Sequence, residues 1–246
     1  MANAGIEQHL LEYSSWRKGL FESVDEIRAW LKDQELGDAR IDQRLDQVMS
    51  NLRDDKLYVA FVAEFSRGKS ELINAIFFAN FGQRILPSAA GRTTMCPTEL
   101  QYDIGTKPSL RLLPVETRKG GTTISEYRNF KDEWETIPLN TKNSDKMITS
   151  LRHVVETKEV SQKEAEELGF HIAQDETELG MQVNEDGLVE VPKWRHAIIN
   201  YPHPLLEQGL VILDTPGLNA LGAEPELTLN MLPSAHAVLF ILAADA

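Results

Sequence analysis

VAEFSRGKSELINAIFF, residues 62–78, is the stretch of sequence that decides the fold. The apolar run LYVAFV, residues 57–62, leads into it and predicts a short buried strand. The apolar residues of SELINAIFF predict a helix that begins at Ser70. A strand, a polar loop and a helix in this order are the βα unit of a doubly wound sheet. The stretch therefore predicts an α/β protein.

The loop between this strand and this helix resembles the phosphate-binding motif G-x-x-x-x-G-K-S/T. Gly68, Lys69 and Ser70 match its last three positions, whereas Ala63 replaces the first glycine and lowers affinity if φ is positive there. In such a loop backbone N–H groups surround the phosphates, the lysine neutralises their oxygens, and the hydroxyl binds Mg²⁺. We predict a nucleotide site lined by the whole loop: Ala63, Glu64, Phe65, Ser66, Arg67, Gly68, Lys69 and Ser70.

A second motif, LVILDTPGL at residues 210–218, ends another apolar strand in a turn. Asp214 stands at the tip of that strand, where its carboxylate can hold Mg²⁺ through a water molecule. Gly217 can offer its backbone N–H to a γ-phosphate, which would make the loop sensitive to that phosphate. Asp-Thr-Pro-Gly is also a common turn sequence. Its occurrence together with a phosphate loop favours the nucleotide interpretation.

A third element is expected between these motifs, namely a threonine that closes on Mg²⁺ from a mobile segment. SAAGRTTMCPTEL, residues 88–100, places two threonines after a glycine-containing loop and before a strand. We predict that Thr94 is the catalytic threonine and that it joins Ser70 and Asp214 as a Mg²⁺ ligand, with Thr93 as the alternative. Threonine also favours strands, so the pair has a purely structural interpretation as well.

The chain divides into two parts at about residue 55. Apolar residues at helical spacing over 10–31 and 41–52 predict two helices, so residues 1–54 form an N-terminal helical segment. This segment is either a packing element or a lever that docks on further helices. Residues 55–246 form the α/β domain.

More strands follow the first βα unit. PTELQYDI and PSLRLLPV flank a turn at Gly105 and predict a β-hairpin. Two further strands are predicted within residues 196–217 and a last one within residues 236–244. The resulting sheet is mixed and mostly parallel.

A charged insertion occupies residues 115–192, about a third of the chain. It contains helix-forming residues and little continuous apolar sequence, as in KEVSQKEAEELGF. We interpret it as a solvated helical excursion, with a partner-binding subdomain as the alternative.

Composition excludes several classes of protein. The formal net charge of −13 argues against nucleic-acid binding. Cys96 is the single cysteine, which excludes disulfides and cysteine-cluster zinc sites and predicts a small buried apolar group. The histidines show no metal-ligand spacing, and there is neither a secretory signal nor an apolar run long enough for a transmembrane helix. A cytoplasmic location is therefore expected.

Three stretches in this order, FSRGKSELINAIF, GRTTMCPTEL and LVILDTPGL, resemble the N-terminal GTPase region of the dynamin superfamily, and of its bacterial dynamin-like members in particular. The resemblance runs from about residue 55 to the end of the chain. It implies a P-loop GTPase fold, Mg²⁺-dependent hydrolysis of GTP to GDP, and a homodimer or higher oligomer formed through the GTPase domain. It also implies a helical bundle that receives the N-terminal helix, and peripheral contact with the inner face of a membrane through regions beyond this chain.

The phosphate loop departs from the family at one catalytic position. Eukaryotic dynamins carry there a glutamine that places the attacking water, whereas this chain has Phe65. Ser66 matches the serine that follows, so the resemblance implies a catalytic role for it. Arg67 is a candidate for stabilising charge on the phosphates, with a solvated surface arginine as the alternative interpretation.

Guanine recognition has no motif in this sequence. The base-reading pattern N/T-K-x-D is absent, because NTKNSD at residues 140–145 has its aspartate one position too late and precedes Asp214. We expect the base-reading motif just past residue 246. A nucleotide-regulated interaction module with little hydrolysis is the main alternative to a GTPase, and an ATPase or kinase is a third.

Overall fold

The computed structural model describes residues 2–34, 36, 38–53, 56–64, 67–87, 96–173, 181–216, 232 and 235–242. The chain forms two compact units, Met1–Leu57 and Tyr58–Ala246. The first unit contains two helices, α1 (Ala2–Asp33) and α2 (Ala39–Arg53).

The two helices of the first unit pack against each other. Asp38 caps α2, since its carboxylate accepts hydrogen bonds from the backbone N–H groups of Arg40 and Ile41 at 2.9 and 2.8 Å. Arg28 of α1 lies 3.1 Å from the carboxylate of Asp46 and 3.7 Å from the sulfur of Met49, which is buried. The predicted N-terminal helical segment is therefore confirmed as a helical pair.

The second unit alternates strands with short helices. Its strands are β1 (Leu57–Ala63), β2 (Thr98–Gln101), β3 (Ser109–Pro114), β4 (Glu135–Pro138), β5 (Thr157–Ser161), β6 (Leu188–Pro192), β7 (Trp194–Asn200), β8 (Leu210–Asp214) and β9 (Ala237–Ile241). Its α-helices are α3 (Lys69–Phe77), α4 (Ile124–Tyr127), α5 (Ser144–Leu151), α6 (Gln162–Glu167) and α7 (Pro204–Glu207). Short 3₁₀ helices cover Ala79–Phe81, Val115–Gly120, Lys131–Glu133 and Arg152–Val155.

Seven strands form one mixed sheet in the order β4-β3-β7-β2-β8-β1-β9. The pairs β1–β9 and β2–β7 are parallel, whereas β2–β8, β3–β4 and β3–β7 are antiparallel. Strands β1 and β8 are neighbours, so the strands that carry the two predicted nucleotide motifs lie side by side. The predicted mixed α/β sheet is confirmed.

The predicted β-hairpin of β2 and β3 is wrong. Strand β7 lies between them, and its Ile199 pairs with Leu100 of β2 on one side and with Leu110 of β3 on the other. All seven residues of β7 are buried, so this strand needs a neighbour on each side. The connection between β2 and β3 crosses the end of β7, where the amide of Asn200 accepts from the Asp103 N–H at 2.7 Å and donates to the Thr106 hydroxyl at 2.7 Å.

The charged insertion is a packed structure and not a solvated helical excursion. It supplies β4 to the main sheet, and β5 and β6 form a second, antiparallel two-stranded sheet. The guanidinium of Arg118 lies 4.5 Å from the ring of Phe170 and donates to the Leu168 carbonyl at 3.3 Å. A cluster of buried apolar residues fills this part of the fold: Val115, Val160, Ala165, Leu168, Phe170, Met181, Val189 and Val191.

A buried charge cluster joins the main sheet to the insertion. The Glu99 carboxylate on β2 accepts a hydrogen bond from Arg128, which follows α4, and lies 3.1 Å from Nε2 of the fully buried His196 on β7. The ring of Trp134 packs edge-on against His196 with 6.2 Å between centroids. Burial alone would raise the pKa of Glu99, but its contacts with His196 and Arg128 lower that pKa to about 2.

Acid should therefore destabilise the fold partly through Glu99. Its pKa is lower in the folded chain than the ordinary value of 4.5, so its contribution to stability is complete above pH 4.5 and is lost as the pH falls towards 2. Between about pH 6 and pH 3 the unfolding free energy should fall by about 2 kcal/mol more in the wild type than in Glu99→Gln. Urea titrations at several pH values measure this difference. Equal pH dependence of the two proteins would contradict the assignment.

Candidate functional site

The predicted phosphate loop begins where a buried strand ends. Ala63, the last residue of β1, is buried, and Gly68 directly precedes α3. The φ of Gly68 is +83°, in the left-handed region that L side chains rarely adopt. The Gly68 carbonyl accepts the first hydrogen bond of the helix, from the Leu72 N–H at 3.0 Å. The backbone therefore requires glycine at this position of the motif.

Lys69 and Asp214 meet across the site although they are 145 positions apart in sequence. The Lys69 ammonium contacts the Asp214 carboxylate, and each side chain is only 8% exposed. Lys69 is the first residue of α3 and Asp214 the last of β8, so neighbouring strands β1 and β8 bring both motifs to one edge of the sheet. The structure thus joins the two motifs that the sequence placed far apart.

The backbone around Asp214 is held from two sides. Thr98 of β2 is its partner in the antiparallel ladder, and the hydroxyl of the next residue, Thr215, donates to the Phe61 carbonyl of β1 at 2.8 Å. Thr215 is buried as well. This part of the second motif is therefore fixed to both neighbouring strands.

Asn74 is a site-building residue that the sequence analysis missed. Its side-chain oxygen accepts from the N–H groups of Ile85 and Leu86 at 2.9 and 2.8 Å, and its amide nitrogen donates to the Ser70 carbonyl at 3.0 Å. It thereby ties the segment that runs towards the predicted Thr94 loop to the helix of the phosphate loop. The sequence signal for this role is the single polar residue inside the apolar helix sequence LINAIFF. Such an asparagine, which is buried here, needs hydrogen-bond partners.

The loop side chains of Glu64 and Arg67 are solvent-exposed, whereas that of Ser70 is half-buried. The Arg67 Nε atom lies 3.4 Å from the Glu64 carboxylate, and both side chains are more than a third exposed. The catalytic role of Arg67 stays a prediction. Four more predicted site residues, Phe65, Ser66, Thr94 and Gly217, and the alternative Thr93 lie outside the described residues, so their roles stay predictions.

The donor atoms at this edge of the sheet fit Mg²⁺. Ser70 supplies a hydroxyl and Asp214 a carboxylate, and both are hard oxygen donors of the type that Mg²⁺ selects. Mg²⁺ usually combines one or two such protein groups with phosphate oxygens and water. In the described part of the chain, no group of three or more histidine, cysteine, aspartate or glutamate side chains could hold a metal without such help.

Other sequence features have structural roles. In the NTKNSD segment Asn143 caps α5, accepting from the Lys146 N–H at 2.9 Å. Cys96 is fully buried, as predicted, and burial raises the pKa of its thiol.

A cavity of about 500 Å³ is lined by Arg84, Ile85, Leu86, Pro87, Ile148, Arg152, Val155 and Glu156, none of which is a predicted site residue. Across the described ranges, no helix has the length and apolar character to cross a membrane.

Replacing Gly68 by alanine should weaken nucleotide binding about tenfold. The added Cβ strains a backbone at φ +83° by about 1–2 kcal/mol and displaces the N–H groups that would face phosphate. Gly82→Ala is the matched control, since Gly82 has φ +66° at the end of a 3₁₀ helix outside the loop. Calorimetric binding and thermal melts should show lower stability in both variants and lower affinity only in Gly68→Ala. Equal affinities would contradict the phosphate-loop assignment.

The sequence model of the dynamin family matches residues 59–246, most of the chain. The chain belongs to the dynamin family. Among its relatives is a bacterial dynamin-like protein of Nostoc punctiforme, 24% identical over 195 residues, which cover 79% of this chain and 21% of the relative. This dynamin-family chain thus spans about a fifth of that relative's length.

Two similar chains come from solved structures of an oligomerised bacterial dynamin pair, described as a mechanism for long-range sensing and tethering of membranes. The first is 23% identical with a TM-score of 0.35, covering 79% of this dynamin-family chain and 23% of its own length. The second is 14% identical with a TM-score of 0.41, covering 95% and 34% respectively.

Proposed function

We propose that this chain binds GTP together with Mg²⁺ and hydrolyses it to GDP and phosphate. The observation that carries the proposal is the convergence of Lys69 and Asp214 beside the left-handed turn at Gly68. Family membership favours GTP as the nucleotide. In this proposal residues 55–246 act as the GTPase domain and residues 1–54 as a helical lever or bundle element.

The proposed mechanism relies on positioning and charge stabilisation. The N–H groups of the loop surround the phosphates, and the Lys69 ammonium neutralises oxygens on the β- and γ-phosphates. Ser70, Thr94 and Asp214 would hold the metal, Asp214 through a water molecule, and Gly217 would sense the γ-phosphate. Mg²⁺, when bound, neutralises charge that develops on the transferred phosphate. Ser66 and Arg67 complete the proposed catalytic set next to the attacking water.

The proposed partners follow from the family. A homodimer or higher oligomer forms through the GTPase domain, and nucleotide-dependent dimerisation drives membrane remodelling or other membrane-associated work. The protein would then be cytoplasmic and peripheral at the inner face of a membrane. Nucleic acid is not among the proposed partners, because the net charge of −13 opposes it.

One observation favours a second candidate function. The insertion at residues 115–192 has its own sheet and buried cluster, which would give a partner a preformed docking surface. Together with Phe65 at a catalytic position, this supports a nucleotide-regulated interaction module with little hydrolysis.

Phosphate release distinguishes the two candidates. The full-length protein is incubated with Mg²⁺ and GTP at rising protein concentrations, and free phosphate is followed with time. The GTPase proposal expects a turnover per protein molecule that rises with concentration as dimers form, and that Lys69→Ala abolishes. Tight GTP binding without release at any concentration would favour the interaction module.

A further inference from the structure

The cavity of about 500 Å³ beside α5 has the size and the lining of a ligand site. Pockets that bind small molecules usually measure about 300–1,000 Å³ and combine apolar walls with a few polar groups. One wall is the segment after α3, which contributes the buried residues Ile85 and Leu86. The opposite wall is α5 with the 3₁₀ helix that follows it, and it contributes Ile148 and Val155. Two parts of the fold that are distant in sequence therefore enclose an apolar space.

Three charged side chains line the same cavity, and two of them have ion-pair partners. Arg84 lies 2.9 Å from the Glu71 carboxylate, and Glu156 lies 2.9 Å from the Lys193 ammonium. Within the part of the chain that the structure describes, no carboxylate pairs with Arg152. Because each of the two ion pairs is neutral, Arg152 leaves the cavity with one net positive charge.

We propose that this cavity binds a small amphipathic monocarboxylate, with its carboxylate on Arg152 and its apolar chain between Ile148 and Leu86. A guanidinium offers two parallel N–H donors to a carboxylate, and such charge-assisted hydrogen bonds are roughly twice as strong as neutral ones. The single net charge favours a monoanion over a doubly charged phosphate ester, which Glu156 on the same wall would repel. This second site does not depend on the proposed function.

The cavity also borders the segment to which the phosphate-loop helix is tied. The N–H groups of Ile85 and Leu86 donate to the Asn74 side chain at 2.9 and 2.8 Å, and the Asn74 amide donates to the Ser70 carbonyl at 3.0 Å. A ligand that packs on Leu86 therefore acts on one end of a short hydrogen-bonded path to Ser70. Since coupling between two binding sites is reciprocal, bound nucleotide should change the affinity for the carboxylate, which makes the cavity a regulatory site.

Calorimetry on the full-length protein tests the class of ligand with octanoate, acetate, octanamide and octyl phosphate. Octanoate should bind about a hundredfold more tightly than acetate, because its chain buries apolar surface in the cavity. It should bind about tenfold more tightly than octanamide, which has the same chain but no charge. Octanoate that binds no more tightly than acetate or octanamide overturns the inference, and tighter binding of octyl phosphate overturns the choice of a monocarboxylate.

Variants test whether the ligand lies in this cavity. Arg152→Met should weaken octanoate binding about tenfold. Lys146→Met is the matched control, since it removes an exposed cation of α5 that does not line the cavity, and it should bind octanoate as the wild type does. Ile148→Trp should fill the cavity and abolish binding, with thermal melts to show that it is folded. If that variant does not fold, Arg152→Met decides alone, and unchanged octanoate affinity in Arg152→Met overturns the site.

The regulatory part is tested by titrating octanoate in the presence of Mg²⁺ and a saturating non-hydrolysable GTP analogue. The affinity for octanoate should change about fivefold, and the change should disappear in Lys69→Met. An octanoate affinity that is the same with and without the analogue overturns the regulatory role. An analogue that does not bind the wild type overturns the proposed function and the regulatory role together, whereas the octanoate titrations still decide whether the cavity is a site.

Discussion

Lys69→Met should lower the affinity for GTP in Mg²⁺ by about a hundredfold or more and abolish phosphate release. The substitution removes the ammonium that the proposed function places against both phosphates, and charge-assisted hydrogen bonds are roughly twice as strong as neutral ones. It also leaves the Asp214 carboxylate buried without its cation, which adds repulsion towards the nucleotide. Competition calorimetry and phosphate release on the same samples measure both effects.

The free energy of unfolding separates the two consequences of Lys69→Met, which are the loss of the phosphate contact and the loss of the buried partner of Asp214. Lys69→Met alone should lower the unfolding free energy by about 3 kcal/mol, because an unpaired buried charge is costly. Lys69→Met/Asp214→Asn removes both charges and should recover most of that stability while still failing to bind GTP. The exposed Lys142→Met is the matched control for the loss of a lysine. Lys69→Met with GTP affinity within about threefold of the wild type would contradict the assignment of Lys69.

Arg128→Met should destabilise the fold by about 3 kcal/mol. Methionine keeps the apolar stem but removes the guanidinium that donates to the buried Glu99 carboxylate, and breaking a buried ion pair by removing one partner is strongly unfavourable. Urea unfolding at about pH 7 measures the loss.

A double-mutant cycle with Glu99→Gln isolates the ion pair. In the Glu99→Gln background there is no buried carboxylate to leave unpaired, so Arg128→Met should cost less than about 1 kcal/mol. Equal costs in both backgrounds would show that Arg128 acts only through packing.

Local sequence patterns predicted the elements that bear the candidate site. The apolar run before Ala63, the glycine before Lys69 and the strand that ends at Asp214 each depend on short-range rules of burial and backbone geometry. The side-by-side placement of β1 and β8 then brings Lys69 and Asp214 together. Because both motifs follow strands, their meeting at one sheet edge could be anticipated from the α/β class alone.

Features that depend on distant parts of the chain could not be read from local patterns. Strand β7 lies between β2 and β3 although it comes about 80 residues after β3, and adjacency in sequence predicted the simpler hairpin. The core of the insertion is similar, since Val115, Val160 and Val189 are scattered among charged residues and become a cluster only after folding. Nothing in the local sequence sets Glu99 apart from other polar strand residues, because its burial depends on the distant partners Arg128 and His196.

The most direct test of the central claim is equilibrium competition between GTP and ATP for the full-length protein in Mg²⁺, with Lys69→Met as the control. Our account predicts a strong preference for GTP and loss of binding in the variant, since the proposed function takes guanine from the family and assigns the phosphates to Lys69. A preference for ATP, or binding that survives the loss of Lys69, would contradict it and would place the nucleotide elsewhere or in a different class of site.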